Sequence, residues 1–151
     1  DELIDNGFDT TAVIMSWRGP QDGGQDGTKT GYKVVKVPNT HLYFDYSYAE
    51  GDSIGAPYWR KIPLDVVYGY EPVPADYTPE QAANVLGVQG NVWTEFITTF
   101  RDVQYMSLPR MAALSELQWS AAPKDYDGFI VRLKDLLPLY EAEGYNYRPL
   151  D

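Results

Sequence analysis

Short apolar runs broken by glycine, proline and acidic residues fill the first two thirds of this chain, and apolar positions at helical spacing fill the last third. Residues 10–17 (Thr-Thr-Ala-Val-Ile-Met-Ser-Trp) have the β-branched, centrally apolar character of a strand buried on both faces, and Arg18-Gly19-Pro20 ends it. Residues 21–27, rich in Gly, Asp and Gln, read as a loop, and residues 28–31 are too few for a helix. Residues 32–37 are extended again until Pro38-Asn39 interrupts them, and residues 41–46 continue as the second half of one broken strand unit. On an extended backbone Tyr43 and Asp45 share one side of that unit, while Leu42, Phe44 and Tyr46 share the other.

Residues 47–79 carry six Tyr and Trp residues and five prolines without sustained periodicity, which predicts a long structured loop. Thr78 then suits an N-cap, with Pro79 at the first helical position and Gln81 three residues after the cap. This pattern predicts a short helix over residues 79–84 feeding a strand at Val85. Residues 86–95 (Leu-Gly-Val-Gln-Gly-Asn-Val-Trp-Thr-Glu) open as an apolar run with small residues and close on an aromatic face beside a carboxylate. Trp93 and Glu95 are two apart and point the same way if extended, an apolar plate with an acceptor at its rim that suits a sugar. A core Trp followed by a helix-starting Glu is the other reading of the same two residues. Residues 96–101 fit either loop or a helical turn. A helix begins near Ser107, with Pro109 tolerated early, and closes at Trp119. A last amphipathic helix runs over residues 126–142, with Pro138 as a place for a kink and Gly144 as its stop.

Composition narrows the partners. With 22 Asp+Glu against 12 Lys+Arg, the formal charge of -10 repels nucleic acid and anionic membrane surfaces. The absence of Cys removes thiol chemistry and disulfides, and the single His41 cannot build a multi-histidine metal centre. No cofactor is called for. No apolar run is long enough to span a bilayer. At 151 residues there is room for one sizeable core.

Strand units alternating with loops and helices, and ending in polar or aromatic residues, suggest an α/β chain of the (β/α) barrel type. The motifs Met15-Ser16-Trp17-Arg18-Gly19, Tyr43-Phe44-Asp45-Tyr46 and Gly87-Val88-Gln89-Gly90-Asn91-Val92-Trp93-Thr94-Glu95 stand in that order. With Tyr105-Met106-Ser107-Leu108-Pro109-Arg110, Glu116, Trp119 and Asn146-Tyr147-Arg148-Pro149, they resemble the β-N-acetylhexosaminidases of glycoside hydrolase family 20. The resemblance covers nearly the whole chain. It implies that residues 1–151 are the C-terminal part of the catalytic domain, about strands six to eight of a (β/α)8 TIM barrel that needs about 250 residues when whole. The family's catalytic Asp-Glu pair, which comes after a His-x-Gly motif, is then outside this sequence. Asp1-Glu2 matches a later Trp-Asp-Glu segment better and is not assigned catalysis.

The resemblance further implies hydrolysis of terminal N-acetylhexosamine residues from glycans with retained configuration, the sugar's own acetamido oxygen attacking the anomeric carbon. Tyr43 would donate to that oxygen as the catalytic residue of this chain. Trp17 and Trp93 would wall the acetamido pocket, Asp45 and Glu95 would accept from the outer hydroxyls, and Trp59 would stack on the next sugar. On the residues alone Trp17 also fits a core position, Tyr43 a buried phenol, and Asp45 a turn former. The expected partners are N-acetylhexosamine-containing glycans, together with a missing N-terminal barrel segment or a second copy. The family resemblance favours a periplasmic or secreted location. A non-catalytic sugar-binding module is the alternative function, and a structural piece a third.

Overall fold

A computed structural model describes the chain except residues 1–3, 5, 20–23, 58–59 and 151. Its elements run in the order β1 (Val13–Ser16), α1 (Gly24–Lys29), β2 (Lys33–Lys36), α2 (Leu64–Gly69), α3 (Pro79–Asn84), β3 (Val85–Val88), α4 (Phe100–Ser107), α5 (Arg110–Trp119) and α6 (Tyr126–Ala142). They divide between two compact units, one made of Asp1–Leu42 with Glu71–Gln89, the other of Tyr43–Tyr70 with Gly90–Asp151.

The first unit is α/β. Its sheet has the order β1-β2-β3, and both pairings are parallel. Parallel neighbours need a crossover, which α1 supplies between β1 and β2. Ile14, Tyr32 and Val34 form the core on one face, with Ile4 packed against them. The β1–β2 ladder runs on past the strand ends, since Val37 N–H donates to Ser16 O at 2.8 Å and Asn39 N–H to Trp17 O at 2.8 Å. Thr78 and Gln81 form the expected capping box at the start of α3, with Pro79 in its first turn. Each such cap contributes about 1 kcal/mol and fixes where the helix begins. Lys36 is buried on β2, its ammonium donating to the Tyr77 hydroxyl at 2.8 Å.

Two sequence readings change here. β1 was expected to be buried on both faces, yet Val13 and Met15 are 56% and 50% exposed and only the Ile14 side is covered by described residues. Residues 24–29 are helical rather than loop. Three glycines in residues 21–27 hid that helix, because glycine carries the lowest helix propensity after proline.

The second unit is helical. Its core joins Tyr48, Ile97 and Met106, with Ile54, Val92, Val103 and Tyr105 packed around them. The segment read as one long loop contains α2, whose Leu64, Val67 and Tyr68 are buried at spacings of three and one. Two turns of helix give too few apolar repeats to register as a period. Tyr68 stacks on Phe129 of α6 with centroids 4.7 Å apart, and its hydroxyl donates to Glu116 at 2.9 Å while accepting from Asp125 N–H at 3.0 Å. The helix expected from Ser107 is two helices. α4 starts at its own capping box, Thr99 with Asp102, and Ser107 is its last residue rather than the cap of α5. α6 has the expected bounds, begins at Asp125, whose carboxylate accepts from Gly128 N–H, and is closed by Gly144 in the left-handed region at φ +70°. Pro138 lies inside it.

Candidate functional site

Residues 41–46 do not form the regular extended segment expected of them. Pro38 O accepts from the N–H groups of both His41 and Leu42, and Tyr46 N–H returns to Tyr43 O at 3.1 Å, so the chain turns rather than runs straight. The strand character that survives is two isolated parallel bridges, Tyr43 with Asn91 and Tyr46 with Ala56, and Phe44 N–H donates to Asn91 O at 2.6 Å. Glycine at position 90 makes that approach possible. A Cβ there would stand 2.7 Å from Phe44 Cε2, well inside van der Waals contact. Next along, Ala56 N–H donates to Asp45 O at 2.6 Å, from a turn in which Gly55 takes φ +95°.

These constraints bring the Tyr43 and Trp93 rings together edge to face, centroids 6.3 Å apart, and Tyr46 also meets Tyr43 edge to face at 5.7 Å. Half of the Trp93 surface, 49%, stays open to solvent, an unusual share for so large an apolar residue. Burial raises the Tyr43 pKa above its ordinary value, the Trp93 and Asn91 side chains draw it back, and Asp45 raises it again. The phenol is therefore a hydrogen-bond donor at any neutral pH.

Asp45 is 5% exposed, and its Oδ1 has no hydrogen-bond partner among the described residues. Burial is the main force pushing its pKa up to about 6. The backbone N–H groups of Asp45 and Trp93 oppose that, the Glu95 carboxylate adds to it, and the Arg110 guanidinium again opposes it. A buried acceptor without a partner costs free energy, and proteins keep such a group chiefly where something else is to fill it. Glu95 is exposed, two residues beyond Trp93.

Of the six residues singled out from the sequence, five are described, and four of these lie in the second unit: Tyr43, Asp45, Trp93 and Glu95. Trp17 belongs to the first, directly after β1, where it is 42% exposed with the Arg18 guanidinium 5.0 Å from its ring centroid. Trp59 and Asp1-Glu2 lie outside the described residues. Two residues that sequence reasoning gave no separate role are part of the site. Asn91 is buried and bridges to Tyr43, and Arg110 is fully buried below the turn. Asn91 sits in the same run as Trp93, but nothing in the spacing of Arg110 marks it as buried, since charged residues are almost never fully so. Among the described residues no group of three His, Asp or Glu side chains could hold a metal ion, and no helix is long and apolar enough to cross a membrane.

The Trp93–Glu95 part of this cluster follows β3 in sequence, and in α/β barrels functional residues commonly come directly after the strands. The family model of the glycosyl hydrolase family 20 catalytic domain matches residues 1–122, and this chain belongs to that family. It is 34% identical, over 97% of its length, to a β-hexosaminidase of Porphyromonas gingivalis, and covers 19% of that protein. It is 31% identical, over 79% of its length, to a β-N-acetylhexosaminidase of Cellulomonas fimi, and covers 24% of that one. The chain thus spans about a fifth to a quarter of these relatives. Among solved structures it superposes on a family 20 exo-β-N-acetylglucosaminidase from Vibrio harveyi in complex with N-acetylglucosamine, with TM-score 0.86 and 31% identity. That match covers 99% of this chain and 24% of the other. An N-acetyl-β-hexosaminidase of Streptomyces plicatus gives TM-score 0.83 at 25% identity over 97% of this chain and 30% of that one.

Proposed function

We propose that this chain supplies the sugar-holding side of a β-N-acetylhexosaminidase that removes terminal N-acetylhexosamine residues from glycans. The observation that carries the reading is the Tyr43–Asp45–Trp93 cluster, a phenol donor, an open aromatic ring and a buried carboxylate oxygen without a partner among the described residues. A hexosamine offers the complement of each: a carbonyl acceptor on its acetamido group, an apolar C–H face, and hydroxyl donors. In the mechanism we propose, the acetamido oxygen attacks the anomeric carbon and an oxazolinium intermediate forms with later retention of configuration. Tyr43 donates to that oxygen as its charge changes, Trp93 and Trp17 wall the acetamido group, Asp45 and Glu95 accept from outer hydroxyls, and Trp59 stacks on the next sugar.

The relatives named above support this reading through their names, and their greater length supports a second part of it. We place residues 1–151 at about strands six to eight of the barrel, so the acid that protonates the glycosidic oxygen comes from elsewhere in the complete protein. Without such an acid cleavage stops, and the isolated chain is inactive. The exposed Val13 and Met15 face fits a missing barrel segment or a second copy. A periplasmic or secreted location belongs to the same proposal.

The test compares the complete polypeptide with the isolated chain on a chromogenic N-acetylglucosaminide, with NMR detection of the anomer released first. Turnover by the complete protein alone, giving the β-anomer from a β-glycoside, is the expected result. Turnover by rigorously purified isolated chain overturns the inactive-fragment part, and an inverted product overturns the mechanism. Sugar binding by the complete polypeptide without any turnover favours a sugar-binding module instead.

A further inference from the structure

The Arg110 side chain has no exposed surface and spends every one of its five N–H groups on backbone carbonyls. Nε donates to Met106 O at 3.0 Å, Nη1 to Tyr46 O at 3.1 Å and to Ile62 O at 3.0 Å, and Nη2 to Phe44 O at 2.5 Å and again to Met106 O. Its planar group lies 3.8 Å from the Tyr48 ring centroid and 4.9 Å from that of Phe44. No carboxylate forms an ion pair with it among the described residues, which is an expensive way to bury a cation for stability alone. The carbonyls it holds are particular ones. Phe44 and Tyr46 flank Asp45, and Phe44 is also next to Tyr43, so one guanidinium grips the backbone on both sides of the site's carboxylate. Ala56 N–H and Asn91 O hold the same turn from other directions.

We propose that Arg110 is a positioning residue for the sugar site, fixing the Phe44–Tyr46 turn so that the Tyr43 hydroxyl and the Asp45 carboxylate converge on one ligand. The inference rests on the reading of these two residues given above. A guanidinium suits the task because its planar fork reaches carbonyls on α4, on the turn and on the segment before α2 at once, where an ammonium would reach fewer. Its charge also acts on Asp45. Around that carboxylate stand Glu95, Tyr43 and the backbone N–H groups of Asp45 and Trp93, and around Arg110 stand Tyr48, Asp45 and Arg148. Arg110 is the cation that opposes the rise in the Asp45 pKa.

The experiment uses the complete polypeptide and compares Arg110→Lys and Arg110→Gln with wild type for kcat, KM, their pH dependence and the melting midpoint. Positioning predicts that folded Arg110→Gln loses about 10²-fold in kcat/KM, the scale of a 1 Å misplacement. It also predicts that the acid-side midpoint of kcat/KM moves to higher pH. Arg110→Lys, which keeps the charge, restores the midpoint and part of the activity. A purely structural Arg110 predicts lowered melting with kcat/KM per folded molecule and pH midpoint both unchanged, and that result overturns the proposal. If neither variant folds, Tyr48→Leu removes the ring beneath the guanidinium and leaves its donors in place. A smaller loss in kcat/KM supports the proposal there, and an unchanged value overturns it. A wild-type protein without turnover refutes the hydrolase reading, and the affinity of folded wild type and folded Arg110→Gln for N-acetylglucosamine at a pH well above 6 then decides the positioning question: weaker binding by the variant supports it and equal binding overturns it.

Discussion

Gly90→Ala probes the packing on which the site depends with a single carbon. The added Cβ would lie 2.7 Å from Phe44 Cε2 and 3.0 Å from both Cδ2 and Cζ, against a comfortable carbon separation of about 3.5 Å or more. The ring must therefore retreat by roughly 0.8 Å, the shortfall from that separation. It has little room to do so, because Phe44 is fully buried, the Arg110 guanidinium sits against its ring, and both its backbone N–H and its carbonyl are held. Overpacking of this kind costs about 1–3 kcal/mol and lowers the melting midpoint. Phe44 lies between Tyr43 and Asp45, so the same displacement reaches both functional groups. A misplacement of about 1 Å costs up to about 10²-fold in turnover. Melting and turnover of the complete polypeptide should both fall, and Phe44→Leu combined with Gly90→Ala should do less harm than the sum of the two changes. Normal melting and normal turnover in Gly90→Ala, or strict additivity with Phe44→Leu, would refute the argument that this contact sets the turn.

The same geometry carries further expected outcomes. Because the folded Asp45 pKa is raised from 3.8 to about 6, its ionisation opposes folding, and stability should fall as pH rises across that window. Sugar binding should do the opposite, strengthening as pH rises through about 6, and Asp45→Asn should flatten both curves in urea melts and N-acetylglucosamine titrations. Tyr68→Phe removes the hydroxyl shared by Glu116 and Asp125, which should cost about 1–2 kcal/mol in thermal unfolding and leave turnover unchanged. A loss of turnover there would tie that network to the site. The isolated chain should associate through its exposed Val13 and Met15 face, and a monodisperse monomer by light scattering would count against that.

The sequence displayed the features that short-range rules control. Thr78, Pro79 and Gln81 announced α3 because a capping box is a three-residue device, and the Phe129, Leu133 and Leu136 stripe announced α6 because 17 residues repeat a period several times. The grouping of Tyr43 and Asp45 with Trp93 and Glu95 came from the family motifs. The actual turn at residues 41–46 did not, because it is fixed by contacts far apart in sequence: the Asn91 carbonyl, the small Gly90, and the five donors of Arg110. A buried Arg leaves no hydrophobic signature, so its part in the site was legible only in three dimensions. Helices α1 and α2 stayed hidden for a local reason, being six residues each and either glycine-rich or enclosed by prolines.

The most direct test of the account is Tyr43→Phe in the complete polypeptide, assayed for turnover of an N-acetylglucosaminide and for melting on the same preparation. The substitution removes one donor and keeps the ring that meets Trp93 and Tyr46 edge to face. If Tyr43 donates to the acetamido oxygen in the transition state, turnover falls by roughly 10² to 10³, equivalent to about 2.7–4 kcal/mol, while KM and the melting midpoint change little. A folded Tyr43→Phe protein that turns over substrate at nearly the normal rate would contradict the assigned role.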